Sequence, residues 1–443
     1  MKKRQVSTME KMAVWKQMID IIKTDVTPAT GCTEPIALAY AAAVAARELG
    51  EPVRFIDGLV SANLMKNGMG VTVPGTGMPG LAIAAAVGAI GGDADAGLQV
   101  LQHLTPDVVA LGKKYVADGK ITVSVKDNTP HVLYAEAVVY GENHRVQVII
   151  VDDHTNIVYI EKDGRPILDE RVEAGSEEDP KIAFLNGLTL AKIVDFAECV
   201  PYEDIAFLME AERLNDHLSK EGLTGTYGLK VGYNLQRMIK KGLLADDLMQ
   251  AVRIRSVAAS DARMGGAAFP AMTNSGSGNQ GIAATEPVTV VADFLKVDEE
   301  KRVRALALSS MVAIYAHSFL PKLSAFCATV TAAMGAAAAM AWLLADDEPL
   351  AVIERAIATM SGSVVGMVCD GAANSCGMKV LASVTSAYEA VLLALSDVRV
   401  AGSDGLVANS ADECLRNVGF LATKGMQQTD DEVLEIMLHK NQA

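Results

Sequence analysis

Two thiols close the stretch Cys369-Asp-Gly-Ala-Ala-Asn-Ser-Cys376, and a third, Cys327, stands 42 residues before the first of them. Gly371 loosens the backbone between the pair. Asn374 or Ser375 is a natural N-cap for the apolar helical pattern that runs over 376–395. A thiol at a helix N-terminus ionises more readily, and ionised thiolates bind soft metals. Three thiolates can hold three corners of a [4Fe–4S] cluster and leave one iron open to water or substrate. Structural zinc prefers four ligands, and neither a CxxC pair nor a histidine flanks Cys369 or Cys376. By spacing alone, isolated buried cysteines acting as small hydrophobes are the commoner explanation. That reading stands for Cys199 and Cys414, which lack polar, glycine-rich surroundings.

A fourth cysteine of interest is Cys32, in Thr30-Gly-Cys-Thr-Glu-Pro35, just ahead of an alanine-rich helical pattern. That position lowers the expected thiol pKa and suits a nucleophile, a base or a fourth ligand. The most specific polar stretch is Asn274-Ser275-Gly276-Ser277-Gly278-Asn279-Gln280-Gly281. Successive backbone N–H groups and short side-chain donors can cradle a carboxylate or phosphate there, with Arg263 as a carboxylate partner. It has neither the Gly-Lys-Ser/Thr ending of a P-loop nor a Rossmann fingerprint. Pro74 to Gly80 is a weaker version of the same pattern. The seven histidines are scattered without HExxH or HxxxH spacing; His317, ten residues before Cys327, is spaced to face the same site, but a helix-end histidine with no catalytic role is the better reading.

The elements that must position these residues are mostly helical. Amphipathic or small-residue patterns cover about 10–23, 36–49, 81–90 and 105–118, with Lys66-Asn67-Gly68 read as a turn between them. Four β-branched runs at 121–125, 132–140, 145–151 and 157–161, separated by turn residues, predict a four-stranded antiparallel meander. Acidic residues 175–180 read as a hinge, and helical periods dominate from 181 onward, including 287–296 and 323–344. The expected fold is α+β: a predominantly helical catalytic body with an inserted small antiparallel β-rich module. Its expected parts are 1–118, 119–175 and 176–443. Thr33-Glu34-Pro35 recurs as Thr285-Glu286-Pro287, which suggests two similar helix starts facing one site.

Composition excludes several classes. With 54 acidic against 39 basic residues, the formal charge of −15 repels phosphate backbones, and no basic stripe offsets it. No secretory signal opens the chain, and six cysteines in 443 residues make no disulfide framework, so a cytoplasmic setting is expected. The uncharged run Leu323 to Ala345 is long enough to span a bilayer. Its alanine dominance and hydroxyls make a helix buried on all sides the better expectation.

Taken in order, TGCTEP, NSGSGNQG with ATEP, and CDGAANSC resemble the L-cysteine desulfidase family and, more distantly, the iron–sulfur L-serine dehydratases through their α-chain-like domain. The resemblance runs over nearly the whole chain. It implies a PLP-independent carbon–sulfur lyase that converts L-cysteine and water to pyruvate, ammonia and sulfide. It also implies a [4Fe–4S] cluster on Cys327, Cys369 and Cys376, and a catalytic Cys32. The substrate-binding expectation, Arg263 with Asn274, Ser275, Gly276, Ser277, Gly278 and Asn279, rests on the loop chemistry instead. Partners are then a small amino acid and neither nucleic acid nor membrane, with room for a homodimer. Two alternatives stand beside this reading: a serine or threonine dehydratase using the same cluster, and a non-catalytic iron–sulfur sensor of cysteine.

Overall fold

The computed structural model of the chain describes residues 8–171 and 179–440. Helices hold 58% of it and strands 12%, which makes it α+β and mostly helical, as the sequence patterns require. The hinge expected at 175–180 falls largely outside the described residues.

The principal sheet has six strands: β1 (Phe55–Val60), β2 (Ile121–Val125), β3 (Tyr134–Tyr140), β4 (Arg145–Val151), β5 (Ile157–Lys162) and β6 (Arg165–Asp169). Their spatial order is β2-β1-β3-β4-β5-β6. The meander expected from the sequence is therefore shifted by one strand. It runs through β3, β4, β5 and β6, while β2 pairs only with β1, in parallel, Ile56 facing Ile121. The strand at 55–60 escaped notice because Asp57 and Gly58 interrupt its β-branched character. Its alternating burial shows that one face is covered nonetheless.

The cover is α1 (Thr33–Leu49). Its Ala37, Leu38, Ala41 and Ala45 share one apolar cluster with Ile56, Ala137, Val139 and Val148 of the sheet. Small side chains on that face let helix and sheet lie close together. Because α1 is seated on the sheet, its N-terminus comes to the same end of the sheet as the β4–β5 turn. A short helix, α2 (Ala62–Gly68), follows β1 and is capped by Ser61, whose Oγ accepts from the Leu64 N–H. Lys66 and Asn67 thus belong to a buried helical turn and not to an exposed loop.

The remainder is a helical body. Its centre is α6 (Thr329–Leu344), almost wholly buried against α4 (Gly278–Leu295) and α5 (Glu299–His317). A Cβ on Gly335 would collide with the Ser309 carbonyl oxygen, so glycine is what lets α5 and α6 touch backbone to backbone. That contact explains the uncharged run at 323–345. At about 1.5 Å per residue the helix is about 24 Å long, short of a bilayer's roughly 30 Å, and other helices surround it. Residues 320–328 before it are not helical. Among the described residues one helix, α7 (Cys376–Leu395), is long and apolar enough to cross a membrane, and half of it is buried inside the protein.

The start of α4 also departs from expectation. Asn274 to Gly281 reads as loop, yet the helix begins at Gly278 and continues through Pro287. Thr285-Glu286-Pro287 therefore lies mid-helix, and only Thr33-Glu34-Pro35 opens one. The glycines serve close approach instead of a turn, since a Cβ on Gly281 would overlap the Met272 carbonyl oxygen.

This arrangement buries Glu286 completely. Neither carboxylate oxygen has a hydrogen-bond partner, and Arg255 Nε is 3.7 Å away. Burial pushes its pKa up to about 8, with Arg255 opposing. The folded protein then holds that proton more tightly than the unfolded chain, so stability falls as pH rises from about 4.5 through 8. Glu286→Gln is expected to flatten that fall and to add on the order of 1–4 kcal/mol at about pH 9, with little change near the ordinary carboxyl pKa of 4.5. Urea unfolding at the two pH values checks it.

Candidate active site

One cavity of about 590 Å³ gathers residues from the sheet end, from the N-termini of α1 and α4, and from the cysteine-bearing segments. Cys32, Arg263, Ser275, Gly276, Ser277, Asn279, Cys327, Cys369 and Cys376 all line it. Asn274 and Gly278, also expected to bind substrate, do not.

The three cysteines meet through backbone pairing that the sequence does not announce. Phe326 and Val368 form an isolated antiparallel bridge. The Cys327 N–H donates to Met367 O at 3.0 Å and the Cys369 N–H donates to Ala325 O at 2.7 Å. This two-stranded clasp brings Cys327, opposite Met367, and Cys369, opposite Ala325, to diagonal positions of one short pairing although 42 positions separate them. Gly371, at φ +92°, then turns the chain towards α7. A Cβ there would strike the Lys66 carbonyl oxygen. Cys376 occupies the first position of α7, behind Ser375, whose side chain makes no capping bond.

Lys66, fully buried, holds this loop from the other side. Its Nζ donates to the Cys369 carbonyl at 3.1 Å and pairs with Asp430 of the C-terminal helix α8 (Gln427–Lys440) at 2.5 Å. Lys379, paired with Asp370, adds a positive charge beside Cys376 and Cys327.

Burial dominates the thiols. It pushes Cys327 up to about 12, helped by the charge of Cys369, and raises Cys376 as well. Cys32 packs in a small apolar cluster with Val71 and Met264, against Cys376. The expected lowering of its pKa is reversed: burial pushes it up to about 12, against the opposing charge of Arg263. A helix terminus acts through a fraction of a charge, and desolvation of a wholly buried thiolate outweighs it.

Among the described residues no three His, Cys, Asp or Glu side chains stand as ligands of one ion. The donor set fits a multi-iron group instead. In such a group each thiolate takes its own iron, so the sulfurs need not converge on one point. Three thiols lining one cavity, with Lys379 beside Cys327 and Cys376 and Arg263 beside Cys376, match that requirement.

Arg263, at the end of α3 (Leu248–Met264), is buried at 4% exposure. Its Nε donates to the Gly31 carbonyl at 3.1 Å and its Nη1 reaches Met264 Sδ at 3.5 Å. Among the described residues no carboxylate pairs with it. A buried guanidinium with no acid partner is a seat for an anion. Gly278 makes the room, because a Cβ at that position would collide with Arg263 Nε.

The neighbouring loop is a tight turn. Ser275 and Gly276 have φ of +49° and +80°, and Asn274 and Ser277 exchange backbone hydrogen bonds at 3.0 and 3.1 Å, the pattern of a type I′ turn. Asn274 anchors it by donating from Nδ2 to Ser310 O. Thr33 Oγ1 ties it to α1 by donating to Gly276 O at 2.8 Å. Asn279 Oδ1 accepts from Ser260 Oγ, which fixes its side chain at the start of α4.

His317 lines the cavity, as its spacing from Cys327 allowed, and burial holds its pKa down at about 4, in company with Lys322 and Lys181. The sequence reading passed over several other lining residues. His154, from the β4–β5 turn, is one. Burial lowers its pKa, and its ring would meet a Cβ on Gly276 at 3.4 Å. Glu34, Asn67, Gln280 and Lys379 complete the polar wall. Of these, Glu34 carried a signal through its place in the motif beside Cys32, and Gln280 through the glycine-rich stretch. Cys199 is exposed and Cys414 is buried elsewhere, so neither takes part.

The model of the serine dehydratase alpha chain matches residues 95–435, which include Arg263, the Asn274–Gly281 segment and all three clustered cysteines. The chain belongs to the serine dehydratase alpha chain family. Similar full-length relatives carry the name UPF0597. The protein of that name from Chromobacterium violaceum is 52% identical over 427 residues, 96% of this chain and 98% of its own. UPF0597 protein YhaM of Escherichia coli K12 is 50% identical over 428 residues, again 96% of this chain and 98% of its own. The family match begins at residue 95, so the wall built by Cys32, Glu34 and Asn67 lies outside it.

Proposed function

We propose that the chain is an iron–sulfur lyase that eliminates sulfide from L-cysteine: L-cysteine plus water gives pyruvate, ammonia and hydrogen sulfide. The observation that carries the reading is the joining of Cys327, Cys369 and Cys376 on one wall of a cavity that also holds an unpaired, buried Arg263. Membership in a dehydratase family supports elimination from a small amino acid. A [4Fe–4S] cluster held by the three thiolates would supply a Lewis acid for the leaving group.

The protein's own residues do the rest. Arg263 and the N–H groups at the start of α4 receive the substrate carboxylate and the charge that builds when the α-proton leaves. His154, kept neutral by burial and packed on Gly276, is the lining group suited to take that proton. Cys32 rests as a thiol, which suits handing a proton to the departing sulfur. The Cα–H electrons form the double bond, the Cβ–S pair leaves with sulfur, and the aminoacrylate released tautomerises and takes up water. All six cysteines are free, which accords with a reducing cytoplasm.

L-serine is the second reading, favoured by the family's name. Protein purified without air is expected to be brown and to release sulfide and pyruvate from L-cysteine without added PLP. Colourless protein with stoichiometric zinc would refute the cluster. Higher kcat/KM for L-serine than for L-cysteine would assign the chain to the dehydratases.

A further inference from the structure

The mechanism above gives the substrate's carboxylate, sulfur and α-proton their partners, but not its ammonium group. Glu34 supplies the missing one. It stands one residue inside α1 and lines the cavity, where its Oε1 accepts from Asn67 Nδ2 at 3.1 Å. Among the described residues no lysine, arginine or histidine is within ion-pair distance of it. Its charge acts on Cys32 and on His154, whose burial disfavours the cation. A carboxylate in a cavity with neither a cation nor full hydration is an incomplete pair.

Two further acceptors on the same cavity are left without donors. Asn67 is 5% exposed and Gln280 6%, and the side-chain carbonyl oxygen of each has no hydrogen-bond partner. Asn67 donates one N–H to Glu34, so its free oxygen lies in the same small group of atoms. Buried amide oxygens are rarely left unsatisfied. A primary ammonium has three N–H donors and one positive charge, which is what a carboxylate flanked by unpaired amide oxygens lacks.

We propose that Glu34, with Asn67 and with Gln280 as a further acceptor, forms the ammonium subsite that restricts this cavity to free α-amino acids. The proposal rests on the lyase reading for the carboxylate and sulfur positions, and two of its three residues, Glu34 and Asn67, lie outside the family-matched region. Glu34 is held on α1 and Asn67 on α2, so the sheet-packed N-terminal part selects the substrate that the helical body acts on.

The test compares L-cysteine with 3-mercaptopropionate, which differs from it only in lacking the amino group, by anaerobic rapid mixing with the cluster-loaded protein, each Kd being read from the change in the visible spectrum before the first turnover. Wild type is expected to prefer L-cysteine, and Glu34→Gln to weaken L-cysteine by roughly 10- to 100-fold while 3-mercaptopropionate changes less than about twofold. Glu34→Asp should recover part of the loss. Asn67→Ser should show the same selective weakening at smaller size, and it serves in place of Glu34→Gln should that variant not fold. Equal weakening of both ligands, or of neither, overturns the subsite. Binding is read before turnover, so selective weakening in a protein that releases no sulfide would keep the subsite and refute the lyase.

Discussion

Cys369→Ala is expected to fold normally, to retain little or no iron, and to release sulfide from L-cysteine at least about a thousandfold more slowly than wild type. The expectation rests on what the substitution leaves alone. Cys369 is only half-buried, and the loop around it is held by backbone groups: its N–H on Ala325 O and its C=O on Lys66 Nζ. Removing the sulfur therefore costs the fold little and the proposed cluster one of its three ligands. Cys376→Ala should behave alike. Cys327→Ala also loses the thiol contact to Thr329 Oγ1 at 3.0 Å, and so is expected to lose about 1 kcal/mol of stability as well. Cys199→Ala, on the surface, is the control that should change nothing. Iron and acid-labile sulfide analysis with the visible spectrum decides the matter beside turnover. Wild-type iron content in Cys369→Ala would sink the cluster assignment.

Arg263→Lys is expected to lower kcat/KM by roughly 30- to 1,000-fold, although it keeps the charge. Arg263 is clamped by the Gly31 carbonyl through Nε, which leaves the rest of a planar fork for an anion. A lysine ammonium has no fork and cannot bond Gly31 and the substrate in that geometry. Arg263→Met should be worse, because it also removes the charge that opposes the raised pKa of Cys32. Thermal unfolding should separate the two variants. Lysine retains a buried cation and is expected to destabilise, whereas methionine replaces an unpaired charge with an apolar chain and should cost little or stabilise. A catalytic loss in Arg263→Met without a loss of stability would mark the residue as functional. Wild-type kinetics in Arg263→Lys would remove it from the site.

Much of the site was legible because its chemistry is carried by short motifs. Cys32, Cys327, Cys369, Cys376 and the Ser275–Ser277 turn were visible as thiols and glycine-rich polar stretches, and one cavity brings them together. Residues with no local signature stayed hidden. Lys66 and Asn67 read as turn residues, and only the fold shows them buried behind the cysteine loop. His154 is one of seven scattered histidines, and only the fold places it on the cavity with Cys32 and Glu34. Glycine misled in one place, since Gly278 and Gly281 mark close packing within a helix and not a break before one.

The alternation of apolar residues and the small-residue runs by themselves determined the α+β class, and the motifs singled out most of the side chains that one cavity gathers. Both are local properties, set by backbone preference and side-chain type over a few residues. The parallel pairing of β1 with β2, the clasp of Phe326 on Val368 and the rise of the Cys32 pKa were decided only by the tertiary structure. Each depends on which distant segments exclude water from one another. Burial is a property of the whole packed chain, and here it overrides what a helix terminus alone would do to a thiol.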